Sequence, residues 1–159
     1  MKKLIILLLL AVSTSIHAQQ VYNELRQKAQ TTANDQNANP LVRQISQFKL
    51  DALNYMVIKM REEMPDSSVN FLDKQAMAMD NFINFYIEKL IESMKEPDAA
   101  QVKMIKMFMD ISYSNPLFHD KDTELTLAYY NRAECLTRFS IDTDWRRAVA
   151  ALAKLYNIQ

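Results

Sequence analysis

The chain has 159 residues and no glycine. Glycine supplies positive φ to tight turns, β-bulges and the backbone cradles that hold phosphate. Its absence excludes glycine-dependent phosphate loops and the nucleophile elbow of serine hydrolases. What remains favoured is helices joined by short polar links. Cysteine is almost absent as well. Cys135 stands alone, so no internal disulfide forms, and stability must come from a buried core. Histidine occurs only at His17 and His119. An excess of either charge is also missing, with 19 Lys and Arg against 19 Asp and Glu. Nucleic acid needs a concentrated basic face, and so does stable docking on an anionic membrane. Neither is an expected partner.

The front of the chain carries an export signal. Lys2 and Lys3 lead into an apolar run over 4–12, followed by Ser13, Thr14, Ser15 and a small residue at Ala18. That is a charged region, a short apolar region and a cleavage position. The run is shorter than the roughly 20 residues that span a bilayer. No later stretch is both long and uncharged, so the mature chain is expected to lack a transmembrane segment. No cysteine lies near the cleavage position, which excludes a lipid-modified N-terminus. The organisation expected is a signal peptide over 1–18, a short helix and polar linker over 19–38, and a helical domain over 39–159.

Apolar spacing predicts the helices. A first helix over 21–32 has few apolar residues (Val21, Tyr22, Leu25, Ala29), and a polar break over 33–38 follows it. Weak packing or mobility is expected there. Asn39 and Pro40 form a helix start. Leu41, Ile45, Phe48, Ala52, Tyr55 and Met56 then recur at three and four residues, widened by Val42, Leu53, Val57 and Met60. A third helix over 69–94 is apolar around much of its circumference, with Leu72, Ala76, Met79, Ile83, Tyr86, Leu90 and Met94 on one face and Phe71, Ala78, Phe82 and Phe85 on another. Such a helix packs on more than one side and is the expected centre. Pro97 opens a fourth, over 97–114, with Val102, Ile105, Phe108, Met109 and Ile111 inward and Lys103, Lys106 and Asp110 outward. Asp122 caps a fifth, with Leu125, Ala128, Tyr129, Leu136 and Phe139 as its stripe. Asp142 or Thr143 caps a sixth, carrying Trp145, Val149, Leu152, Leu155 and Tyr156. The expected fold is all-α, a single-domain bundle of five to six helices.

Three segments carry a resemblance. The Ala18-Gln19 junction, the run NPLFHDKDTELTLAYYNR over 115–132 and FSIDTDW over 139–145 resemble small exported all-helical proteins of unknown function from Bacteroidota. The resemblance implies a periplasmic or secreted location. It implies no activity and no functional residue.

Candidate chemistry is sparse. His119, Asp120, Asp122 and Glu124 crowd one loop, and such a cluster either holds a divalent metal or caps a helix. Zinc sites use three or four N or S ligands, and a calcium loop needs a turn glycine. Capping is therefore the expected role, with no metal and no cofactor. A hydrolase would rest on His119 with Ser112, Ser114 or Cys135, and no motif links them. The carboxylate pairs Glu62–Glu63 and Asp142–Asp144 read as solvated charges or caps. Ten methionines read as adaptable packing. Met104 and Met107 are the pair that a copper carrier would use. Trp145, Arg146 and Arg147 open the last helix. Trp and Arg are common interface anchors, although a tryptophan on an apolar stripe is more often a lid on the core. Of Tyr129 and Tyr130, one ring must face inward and the other outward.

The reading that results is an exported helical binding or structural module of the cell envelope. It is not an enzyme, its expected partner is another envelope protein, and its contact residues are Trp145, Arg146, Arg147 and Tyr130. Two alternatives remain: a carrier of an apolar ligand in a Met- and Phe-lined cavity, and a small hydrolase. Cleavage after Ala18 should leave Gln19 free to cyclise, giving a blocked N-terminus. Mass spectrometry of the exported protein checks this, and a product that retains the apolar run contradicts it.

Overall fold

The computed structural model describes residues 20–119 and 122–157, without the side chain of Val69. The leader read over 1–18 lies outside the described residues. Six helices follow in order: α1 (Gln20–Asn34), α2 (Pro40–Glu63), α3 (Val69–Ser93), α4 (Asp98–Tyr113), α5 (Thr123–Tyr130) and α6 (Trp145–Leu155). The protein is an all-α bundle. Among the described residues no helix is long and apolar enough to cross a membrane.

Local chemistry sets the helix ends. The Asn39 side chain accepts from the Leu41 amide at 2.9 Å, and Pro40 follows at the first helical position. Pro needs no amide partner there and already has a helical φ. Asp122 and Asp144 cap α5 and α6 in the same way. Behind α6, Asn157 takes a positive φ of 52°. A left-handed residue often closes a helix, usually glycine and sometimes asparagine. With no glycine in the chain, asparagine takes that position.

α3 is the central helix, packed against α1, α2, α4 and α6. Leu72, Ala76, Met79, Phe82, Ile83 and Tyr86 are buried along it. Phe82 meets Phe108 at 5.5 Å, Phe139 at 5.3 Å and Trp145 at 5.4 Å between ring centroids, all edge to face. Aromatic quadrupoles favour this geometry over face-to-face stacking. Phe48 brings α2 into the same cluster, against Tyr129, Phe139 and Trp145.

Three expectations are corrected. First, α1 is packed. Tyr22 and Ala29 are buried, the Tyr22 amide donates to Asp73 at 2.8 Å, its hydroxyl donates to the Leu53 carbonyl at 3.4 Å, and Arg26 donates to Asn54 at 2.8 Å. The stripe is thin but sufficient, because alanine at 29 lets backbones approach closely. The polar break is a turn: the Asp35 side chain accepts from the Asn37 amide at 2.9 Å, and the Ala38 amide closes onto the Asp35 carbonyl. Second, α5 ends at Tyr130. Residues 131–144 form an irregular connector in which Thr137, Ser140, Asp142 and Thr143 are buried. The Ser140 amide donates to Ser112 Oγ at 2.9 Å, and Thr143 Oγ1 donates to the Ser140 carbonyl at 2.6 Å. Side-chain bonds of this kind compete with helical ones. Phe139 reaches the core from this connector, not from a helix face. Third, Val102 does not face inward but is 63% exposed.

The connector is tied to the end of α4. Pro116 and Thr143 form an isolated antiparallel bridge, with Leu117 N donating to Asp142 O at 2.9 Å and Asp144 N donating to Asn115 O at 2.7 Å.

Burial depth gives a stability prediction. Phe82→Ala should cost about 3–4 kcal/mol and Tyr22→Ala about 3 kcal/mol, since each removes a buried ring and leaves a cavity. Equilibrium urea unfolding measures both. A Tyr22→Ala cost below about 0.5 kcal/mol, the range of ordinary surface changes, would show that α1 is not part of the folded unit.

Candidate functional site

The candidate contact residues of the last helix divide sharply. Trp145 is fully buried, so it offers no surface to a partner. Its amide donates to Gln75 Oε1 at 2.9 Å, and its ring completes the aromatic cluster. It is a core residue and no part of a surface patch. Arg146 and Arg147 are exposed. Arg147 Nε lies 3.4 Å from Asp144 Oδ2, yet its side chain remains 73% exposed. A surface pair of that kind holds an arginine loosely.

α6 exposes one basic face. Trp145, Ala148 and Leu152 point inward, while Arg146, Arg147, Ala150 and Lys154 are exposed. No acidic residue lies within the helix. On a helix, residues three and four apart are neighbours, so Arg147, Ala151 and Lys154 share one stripe. Arg146 lies off it.

That stripe borders a groove between α4 and α6. The groove has a volume of about 520 Å³ and opens widely to solvent. Its lining from α4 is Lys103, Lys106, Met107, Asp110 and Ile111, all at helical spacing; Ala151 and Leu155 line it from α6. Asp110 is already engaged. It accepts from Lys106 Nζ at 2.5 Å and from the Tyr130 hydroxyl at 3.1 Å. The Lys106 hydrogen bond, joined by that from Tyr130, holds the Asp110 carboxyl below its usual range. Lys103 and Lys154 make no ion pair among the described residues. The rim is therefore net positive, above a floor of methionine and aliphatic carbon.

The tyrosine pair does not divide into one inward and one outward ring: both Tyr129 and Tyr130 are half-buried and pack against the core. Tyr129 packs against Phe48 and donates its hydroxyl to Asp51. Tyr130 stacks near Tyr113 at 4.8 Å and reaches Asp110. Tyr130 touches the groove's lining only through Asp110, Arg147 stands four residues before the lining residue Ala151 on α6, and Trp145 and Arg146 do not line it. Lys103 and Lys106 read only as outward charges in the sequence. The detectable signal was their spacing with Met107, Asp110 and Ile111 on one helical stripe.

The other chemical candidates lie elsewhere. His119 is exposed and its amide donates to Glu63 Oε2 at 3.0 Å. Asp122 serves as the α5 cap, accepting from Leu125 N at 3.0 Å; Asp120 lies outside the described residues. No group of three or more His, Cys, Asp or Glu converges among the described residues. Ser112 is buried, with its Oγ 2.7 Å from Thr143 Oγ1. Cys135 is buried, with Sγ 3.4 Å from Thr137 Oγ1. Met104 and Met107 both pack partly against the core.

No known protein family, no characterised protein and no solved structure matches this chain.

The buried phenols give a pH prediction. Burial pushes Tyr55 and Tyr86 up to about 12. Burial, then the Asp51 hydrogen bond, also raises Tyr129. The folded state favours the neutral phenol, whereas the unfolded chain ionises near 10. This stability is therefore complete below about pH 10 and is lost as pH rises toward 12. Tyrosinate absorbance followed alongside far-ultraviolet dichroism should show the buried phenols ionising only as helix is lost. Ionisation of all seven tyrosines near pH 10 with helicity intact contradicts it.

Proposed function

We propose that the protein is an exported binding module of the cell envelope that holds another envelope protein in the α4–α6 groove. The observation that carries this reading is the groove itself. Lys103, which makes no ion pair among the described residues, and the Lys106–Asp110 pair border apolar carbon, with Leu155 54% exposed. A partner segment that fits it presents an apolar anchor flanked by Asp or Glu. Contact with the floor supplies affinity, and the cationic rim supplies steering and register. Tyr130 and Arg147 are the candidate contact residues retained.

The export half of the reading rests on the leader motif of Lys2, Lys3, the apolar run and Ala18. The likeness to small exported helical proteins of Bacteroidota supports the same compartment. Recognition by contact also suits the chemistry in view, since Ser112 and Cys135 are buried.

The test compares the exported protein with a Lys103→Glu/Arg147→Glu variant in cross-linking against envelope extract. Both side chains are exposed, so circular dichroism should be unchanged. The cross-linked partner should fall at least about tenfold, equivalent to about 1.4 kcal/mol, and wild-type capture should weaken as salt rises. Equal capture by the variant, or capture indifferent to salt, refutes the groove as the contact site.

A further inference from the structure

A second recess lies on the other side of the bundle, between α1, α2 and α3. It has a volume of about 220 Å³ and is partly enclosed. Its walls are almost wholly aliphatic: Leu25, Ala29, Val42, Ile45, Leu53 and Ile87, with the Met79 thioether. No phenylalanine lines it, unlike the Met- and Phe-lined cavity expected of a carrier, because the phenylalanines are packed against one another in the closed core. An apolar cavity of about 150 Å³ already accepts a benzene-sized ligand, so this one has room for a longer hydrocarbon.

The charged groups of the lining do not balance. Lys49 and Asp80 form a close pair at 2.5 Å, and Asp80 also accepts from Asn84 at 3.0 Å. The Asp80 charge is thus committed to Lys49. Lys28 also lines the recess, is exposed, and makes no ion pair among the described residues. The recess therefore joins an apolar chamber to one uncompensated positive charge, with Thr32 and Ser46 also in its lining.

We propose that this recess binds a free single-chain amphiphile with one carboxylate head, the alkyl chain lying between α1, α2 and α3 and the head at Lys28. This goes beyond the contact reading and uses a different set of helices, so either can fail without the other. Each added methylene that enters the recess should tighten binding about threefold to fourfold. Tightening should stop once the chamber is full. A neutral head should bind more weakly, and a cationic head should be rejected by Lys28.

The experiment is titration calorimetry of the exported protein with hexanoate, octanoate, decanoate and dodecanoate below their micellar concentrations, with decanol and decylamine alongside. The expected result is a rise in affinity with chain length followed by a plateau, and no binding of decylamine. Lys28→Glu, at an exposed position, should weaken decanoate at least tenfold and leave decanol unchanged. Val42→Trp, at a residue 46% exposed, should block the recess and weaken both ligands. Far-ultraviolet dichroism checks that each variant is folded. The proposal is overturned if no carboxylate binds, if decylamine binds as well as decanoate, or if Lys28→Glu and Val42→Trp both bind decanoate like the wild type. Co-sedimentation with phosphatidylglycerol vesicles in the absence of decanoate binding also overturns it, in favour of a bilayer surface.

Discussion

The fold depends on the side chain of one buried glutamine. Gln75 sits on the apolar stripe of α3 with no exposed surface. Both ends of its amide engage the start of α6: Oε1 accepts from the Trp145 amide, and Nε2 donates to Asp144 Oδ1, each at 2.9 Å. Asp144 in turn caps the helix through the Arg147 amide. A buried amide without partners costs about 1–3 kcal/mol, so Gln75 strongly favours α6 in this one position. That position puts the Trp145 ring between Phe48, Phe82 and Phe139. Through Asp144 and Asn115 it also aligns α6 along α4, which creates the groove.

A core closed in this way leaves binding capacity at its margins. The rings of α2, α3, α4 and the connector pack edge to face, which fills the middle of the bundle with mutually satisfied aromatic surface. The recesses described lie where small or flexible side chains meet instead. Ala29 and Val42 help to open one between α1, α2 and α3; Ala151 and Met107 help to open the other between α4 and α6. Each has cations at its border, and each has one acid already bound to a lysine. The chain's overall neutrality therefore hides two local positive fields, and local fields govern recognition.

Much of the fold was legible in the sequence, and the reason is periodicity. The Asn39–Pro40 start, the central place of α3 and the Asp122 cap all follow from local chemistry that the fold leaves intact. The errors came where tertiary contacts override a local pattern. The stripe through Leu136 and Phe139 continues at helical spacing past Tyr130, but hydroxyls of Ser112, Ser140 and Thr143 hold the connector in another shape. α1 read as weak because its apolar residues are few, and the count ignored the Tyr22 hydrogen bonds to Leu53 and Asp73. Gln75 falls three residues after Leu72 and four before Met79, on the buried stripe. A polar residue at such a position signals a specific buried partner. The groove was only half legible: Arg147 and Tyr130 were singled out by residue type, but only tertiary contacts, the Tyr130 bond to Asp110 and the packing of α6 on α4, relate them to Lys103 and Lys106.

The chain has a single tryptophan, and it lies at the end of this arrangement, so its fluorescence reports directly on the Gln75 anchor. The decisive measurement is denaturant unfolding of wild type and Gln75→Ala, followed by Trp145 emission and acrylamide quenching. The account predicts a blue-shifted, poorly quenched tryptophan in the wild type. In Gln75→Ala it predicts a loss of about 2–4 kcal/mol, from two unpaired buried groups and a small cavity, with Trp145 becoming quenchable before denaturant is added. Unchanged stability and unchanged quenching in Gln75→Ala would contradict it.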